Sequence, residues 1–159
     1  MVKNKNFLHI LIATGFGSGY FPKAPGTAGA VLAALIWFGL TFILSSYHLL
    51  IATALFIVIF TFLGVRSSGV MEIYWGEDPS KVVVDEMVGM WISLLAVNDG
   101  NIFYALAALL LFRLFDIFKP LGIRKIQAIK GGWGIMLDDI LAGLYSLLIL
   151  FVLRWLIGT

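Results

Sequence analysis

The sequence predicts an all-α fold, a polytopic membrane helical bundle of about five spanning helices with a short N-terminal interfacial helix. Three observations carry that expectation. Hydrophobic residues make up 61% of the 159 positions and charged residues only 13%, against about a quarter charged in soluble domains. Mean hydropathy is correspondingly high, at +1.02. The apolar residues also gather into runs close to bilayer length, broken by short polar turns. No stretch of soluble composition is long enough for a second core, so residues 1–159 read as one integral-membrane domain. The formal charge of +2 is too small and scattered for nucleic-acid binding, which leaves the lipid bilayer as the expected partner. The absence of cysteine excludes disulfides, thiolate metal sites and cysteine nucleophiles.

Taken in order, residues 7–14 are too short to span, and after Lys3 and Lys5 they suit a helix at the interface better than a cleaved signal. Residues 28–44 and 49–65 form two apolar runs joined by the tight turn Ser45-Ser46-Tyr47-His48. Residues 82–97 are less regular, interrupted by Asp85-Glu86, but they are counted as a third span because the charge asymmetry of the loops requires a crossing there. Residues 102–118 and 135–156 give the fourth and fifth, the last bracketed by Trp133 and Trp155, about 33 Å apart along a helix. In this arrangement Lys3, Lys5, Lys23, Arg66, Lys81, Lys119, Arg124, Lys125 and Lys130 share one side, while the turns at 45–48 and 98–101 carry no Lys or Arg. The charged side is then cytoplasmic, with Arg154 the exception, able to snorkel.

That topology brings the chemistry to one depth. Asp85-Glu86, Arg113-x-x-Asp116-x-x-Lys119 and Asp138-Asp139 all fall at cytoplasmic helix ends. At spacings i, i+3 and i+6, Arg113, Asp116 and Lys119 form a stripe in which two cations flank a carboxylate. Acids at helix N-termini favour the macrodipole, but capping does not account for Arg113 and Asp116 inside a lipid-length helix, where ionisable groups mark function. Five clustered carboxylates repel unless a cation joins them, and hard oxygen ligands suit Mg²⁺. Arg113 and Lys119 would hold a phosphate, the first bidentately and the second as a point charge. The glycine-rich loop 15–19 and the segment Pro25-Gly26-Thr27 lie on the same side; they can cradle a phosphate at a helix N-terminus or serve as packing and hinge elements. Gly131-Gly132-Trp133-Gly134 breaks the chain before the last helix. His9 and His48 fall on opposite sides, which excludes a paired histidine site.

Several motifs in order, Gly15-Phe16-Gly17-Ser18-Gly19, Pro25-Gly26-Thr27, Asp85-Glu86-x-x-Gly89-Met90-Trp91, Arg113-x-x-Asp116-x-x-Lys119-Pro120 and Gly132-x-Gly134-Ile135-Met136-x-Asp138-Asp139-x-x-Ala142-Gly143, resemble the phosphatidylglycerophosphatase A family over most of the chain. The resemblance implies a Mg²⁺-dependent phosphatase of the bacterial inner membrane, a phosphoric monoester hydrolase that converts phosphatidylglycerophosphate to phosphatidylglycerol and inorganic phosphate.

Without a cysteine, a paired histidine or an Asp-x-Asp signature, the simplest route is direct attack by a metal-activated water. A carboxylate would act as general base, which the sequence does not assign, and Arg113 and Lys119 would stabilise the phosphoryl oxygens. The expected metal ligands are Asp85, Glu86, Asp138 and Asp139, with Asp116 either a further ligand or the residue that positions Arg113. Gly26 and Thr27 are expected beside the substrate phosphate. Two other classes compete. A small divalent-cation transporter or channel would spread its charges across the membrane depth, and a structural subunit would not need all three charged groups.

Overall fold

The computed structural model describes residues 6–97, 100–120, 122–123 and 129–157. Lys3, Lys5, Arg124 and Lys125, which contribute to the charge asymmetry, lie outside the described residues, as does Asn98 of the second turn. Among the described residues there are six α-helices and no strand: α1 (Phe7–Ala13), α2 (Pro25–Thr41), α3 (Ser46–Trp75), α4 (Val84–Leu94), α5 (Ile102–Phe118) and α6 (Gly132–Ile157).

Local chemistry explains the helix ends. Pro25 opens α2 at a position where its missing N–H costs nothing. Asn101 caps α5, its side-chain oxygen accepting from the backbone N–H of Phe103 at 3.0 Å and of Tyr104 at 3.4 Å. The same helix stops at Lys119, which adopts a left-handed conformation (φ 46°) directly before Pro120.

Among the described residues two helices, rather than about five, are long and apolar enough to cross a membrane: α3 with 30 residues and α6 with 26. Only 17% and 22% of their most apolar windows are buried, so both turn most of that surface outward, unlike the core helices of a soluble protein. At 17 residues, α2 and α5 each extend about 25 Å, and α5 carries Arg113 and Asp116 in its final turns. The 82–97 segment departs furthest from expectation. Its helix, α4, has 11 residues and rises about 16 Å, roughly half a hydrocarbon core. All its residues except Glu86 are buried. It is therefore the hub of the bundle, packed against α2, α3, α5 and α6, with protein around it where a spanning helix would meet lipid. The second run also ends later than residue 65, because α3 continues to Trp75 through Arg66, Ser67 and Ser68. Hydropathy marks where such a helix leaves the lipid, whereas the helix itself persists because Ser67, Ser68 and Met71 are buried and His9 of α1 hydrogen-bonds Ser67 Oγ at 3.1 Å.

The hub is fastened by close approach and by one aromatic anchor. A Cβ on Gly89 would lie 2.6 Å from the carbonyl oxygen of Asp139, and one on Gly143 would lie 3.0 Å from Gly89 Cα, so α4 and α6 touch backbone to backbone. Trp91 donates from Nε1 to the carbonyl of Ala33 in α2 at 3.0 Å, while Phe56 and Phe60 of α3 stack around it with centroids 5.2 Å away. At the far end, Arg154 of α6 donates to the carbonyl of Ala96 at 2.7 Å. His48 pairs with Ser45 at the start of α3, far along the chain from the Ser67 partner of His9.

Candidate active site

The N-terminal ends of α2, α4 and α6 and the C-terminal end of α5 meet around a cavity of about 270 Å³. Its walls include Gly26, Asp85, Glu86, Arg113, Asp116, Lys119, Asp138 and Asp139. All seven charged residues singled out in the sequence are thus brought to one place. Asp85 and Glu86 occupy the first turn of α4, where the helix dipole favours negative charge. That turn is held in position from outside. The backbone N–H of Val83 donates to Ala13 at 2.8 Å, and Gly19 is packed so tightly on the Lys81 carbonyl that a side chain there would overlap it. The glycine-rich loop therefore packs against the segment leading into α4 and does not line the cavity; of the two roles open to it, packing is the one the structure displays.

Within the cavity the charges sort into three groups. Oxygens of Asp85, Glu86 and Asp139 all lie within 4.8 Å of one another. Arg113 Nη1 contacts Asp116 Oδ2 at 2.5 Å and lies 4.0 Å from Glu86 Oε1. Lys119 Nζ contacts Asp138 Oδ2 at 2.5 Å. The stripe expected along α5 is consequently broken at its end: Lys119 leaves the helix in a left-handed conformation and pairs across to α6 instead of flanking Asp116. Burial alone would lower the pKa of Lys119, but the hydrogen bond and charge of Asp138 outweigh it and hold the ammonium above its ordinary value.

Of the five carboxylates expected as metal ligands, Asp116 and Asp138 are engaged by cations, and Asp85, Glu86 and Asp139 remain grouped. Asp85 Oδ1 and Glu86 Oε2 are buried with no hydrogen-bond partner among the described residues, as is Arg113 Nε. Buried oxygen atoms so placed call for a ligand, and three carboxylates gathered within 4.8 Å of one another suit a hard divalent cation such as Mg²⁺ in their chemistry. Gly26 makes room for this cluster. A Cβ there would overlap the Glu86 carboxylate and come within 3.1 Å of Arg113 Nη1. Thr27 is half-buried and is not among the residues lining the cavity.

Asp78 and Ser80 also line the cavity and escaped the sequence reading. A signal was present, since Gly76-Glu77-Asp78-Pro79-Ser80 combines turn residues with two acids just ahead of Asp85-Glu86, on the side where the other charges collect. Asp78 adopts a left-handed conformation with φ 46°, which Asp tolerates better than most residues.

The family model for phosphatidylglycerophosphatase A matches residues 11–154, a range that contains every residue of the cavity. A Bacteroides thetaiotaomicron protein named "Putative phosphatidylinositol-3-phosphatase" is 57% identical over 159 residues, covering 99% of this chain and 100% of its own length. Proteins named phosphatidylglycerophosphatase A from Haemophilus influenzae and Escherichia coli K12 are each 36% identical, across 94% and 99% of this chain and 90% of their own lengths. No solved structure matches. A match running from α1 into α6 takes in the helix ends that build the cavity as well as the charges inside it, and on that footing the chain belongs to the phosphatidylglycerophosphatase A family.

Proposed function

We propose that the protein is a lipid phosphatase that hydrolyses phosphatidylglycerophosphate to phosphatidylglycerol and inorganic phosphate, using Mg²⁺, with its site at the cytoplasmic face of the bacterial inner membrane. The observation that carries this reading is the joining, in one cavity, of a three-carboxylate cluster with orphaned oxygens to two cations each braced by its own carboxylate. Family membership supplies the substrate.

Asp85, Glu86 and Asp139 would hold the metal. When bound, Mg²⁺ supplies charge neutralisation at the phosphoryl oxygens and acidifies a nearby water. The remaining roles belong to side chains of the chain itself. Asp116 fixes Arg113 from one side through Nη1, and the planar guanidinium, which lines the cavity, offers its remaining donors to phosphate oxygens. Asp138 does the same for Lys119, which stays protonated throughout the neutral range. Hydrolysis forms a P–O bond from water and breaks the bond between phosphorus and the headgroup oxygen, which leaves with a proton as an alcohol. A carboxylate of the cavity takes the proton of the attacking water.

The test is phosphate release by purified protein in detergent, with and without Mg²⁺. Release should need the divalent ion and stop on chelation; full activity in excess chelator would overturn the metal reading. The 57% identical relative favours a second reading, in which the phosphomonoester is carried by an inositol lipid. Comparing kcat/KM for phosphatidylglycerophosphate and phosphatidylinositol 3-phosphate decides between them. No release from either lipid would remove the phosphatase reading and leave the competing class, a small divalent-cation transporter or channel, in its place.

A further inference from the structure

A second cavity of about 240 Å³ adjoins the first. It lies between the C-terminal part of α3, the 76–80 turn and the start of α6, with Glu72, Glu77, Asp78, Lys130 and Asp138 among its walls. Asp78 and Asp138 line both cavities, so whatever is bound in one is next to the other. Their chemistry differs. The first has Arg113 and Lys119 for a phosphomonoester; the second has, among the described residues, Lys130 as its one cation and an excess of carboxylates. Glu72, Glu77 and Asp78 form no ion pair among the described residues. Ionised carboxylates accept hydrogen bonds and do not donate, which makes the Glu72 and Glu77 wall a good receiver for hydroxyl groups and leaves Lys130 as the side that can meet an anion. The volume equals that of roughly eight liquid waters, room for a small polyol.

We infer that the second cavity is a polyol subsite, which takes the hydroxyl-bearing part of the lipid headgroup next to the scissile phosphate. Glu72 and Glu77 accept hydrogen bonds from its hydroxyls, and Lys130 meets the phosphodiester that links the headgroup to the lipid. The subsite rests on the phosphatase reading above and deepens it, because a headgroup with more free hydroxyls gains more from these walls. An inositol ring offers more than a glycerol, so the subsite favours inositol-bearing phosphomonoesters.

The test compares the whole protein with Glu72→Ala/Glu77→Ala and with the milder Glu77→Gln, which keeps shape and should fold even if the double variant does not. Two quantities are read: KM and kcat for phosphatidylinositol 3-phosphate and phosphatidylglycerophosphate, and product inhibition by inorganic phosphate, a probe with no polyol. Loss of the charged hydrogen bonds should raise KM for the inositol lipid about tenfold in the double variant and less in Glu77→Gln. The glycerol lipid should show a smaller rise. Neither kcat nor inhibition by phosphate should move. An unchanged KM would overturn the subsite, and so would a parallel change in phosphate inhibition, since the cavity would then be tuning the phosphate site or holding a second cation. If the wild type releases phosphate from neither lipid, the phosphatase reading fails and the subsite with it; failure of the variants alone removes only the subsite.

Discussion

At the residue scale, Arg113 and Gly26 are the positions where the geometry makes the sharpest demands. Arg113 sits between Asp116 at 2.5 Å and Glu86 at 4.0 Å, so its charge balances carboxylates whether or not it touches substrate. Arg113→Lys keeps the charge and loses the planar fork. If the fork binds phosphate, turnover should fall by about 10²-fold or more in the phosphate-release assay. The pair Arg113→Leu with Asp116→Leu replaces a buried ion pair by apolar groups, a change that bundles often tolerate. Membrane abundance should be retained and activity lost; near wild-type turnover at equal abundance would take both residues out of the site. Gly26→Ala meets a different constraint. The added methyl collides with the flexible end of Glu86, which can swing away at little cost to the fold but only by leaving Asp85 and Asp139. Half-saturating Mg²⁺ should rise about tenfold with little change in thermal midpoint. An unchanged Mg²⁺ requirement would show that Glu86 is not a ligand.

At the scale of elements, α4 decides whether the site exists. Its first turn carries Asp85 and Glu86, and one turn further on Gly89 lets the Asp139 backbone come near enough to complete the cluster. The obstacles to a side chain at Gly89 are the Phe112 ring, which the added Cβ would overlap, and the Asp139 carbonyl oxygen at 2.6 Å; both are buried in the packing, and the carbonyl, being backbone, cannot rotate away. Gly89→Ala should therefore separate α4 from α6, destabilise the bundle by about 1–3 kcal/mol and lower both the thermal midpoint and the activity. Gly39 is the control, helical and exposed in α2 with open space around its Cα. Gly39→Ala should be neutral or slightly stabilising. Equal effects at the two positions would argue that helix propensity, not close packing, sets the outcome.

At the scale of the molecule, the helix ends bearing charge collect at one end of the bundle, and Arg154 with Ala96 marks the other. The proposed orientation puts the 100–101 turn outside and the approach to α2 inside. Gln127, a natural choice for an inside probe, lies outside the described residues, so Lys23, exposed just before α2, takes its place. With no native cysteine to remove, single cysteines can be introduced directly at Asn101 and Lys23. An impermeant reagent applied to intact cells should label the first and spare the second. The reverse pattern would move the site to the outer face.

The sequence was enough to mark the chain as membrane-associated, to find α5 with its bounds at 102 and 118, and to name seven charged residues that converge. Charges in an oily chain stand out because lipid tolerates them so poorly, and hydropathy tracks a helix wherever lipid is its solvent. The same rule misled where another environment took over. Protein surrounds α4, so its 11 residues needed neither bilayer length nor a lipid-facing surface, and α3 runs past residue 65 because α1 covers part of its polar end. Only tertiary packing chose the partners: Lys119 turned from Asp116 in its own helix to Asp138 in another, Asp78 joined the cavity, and Thr27 stayed off its wall. Spacing along a helix sets which residues could meet, but the left-handed turn at Lys119 and the glycine contact between α4 and α6 set which ones do.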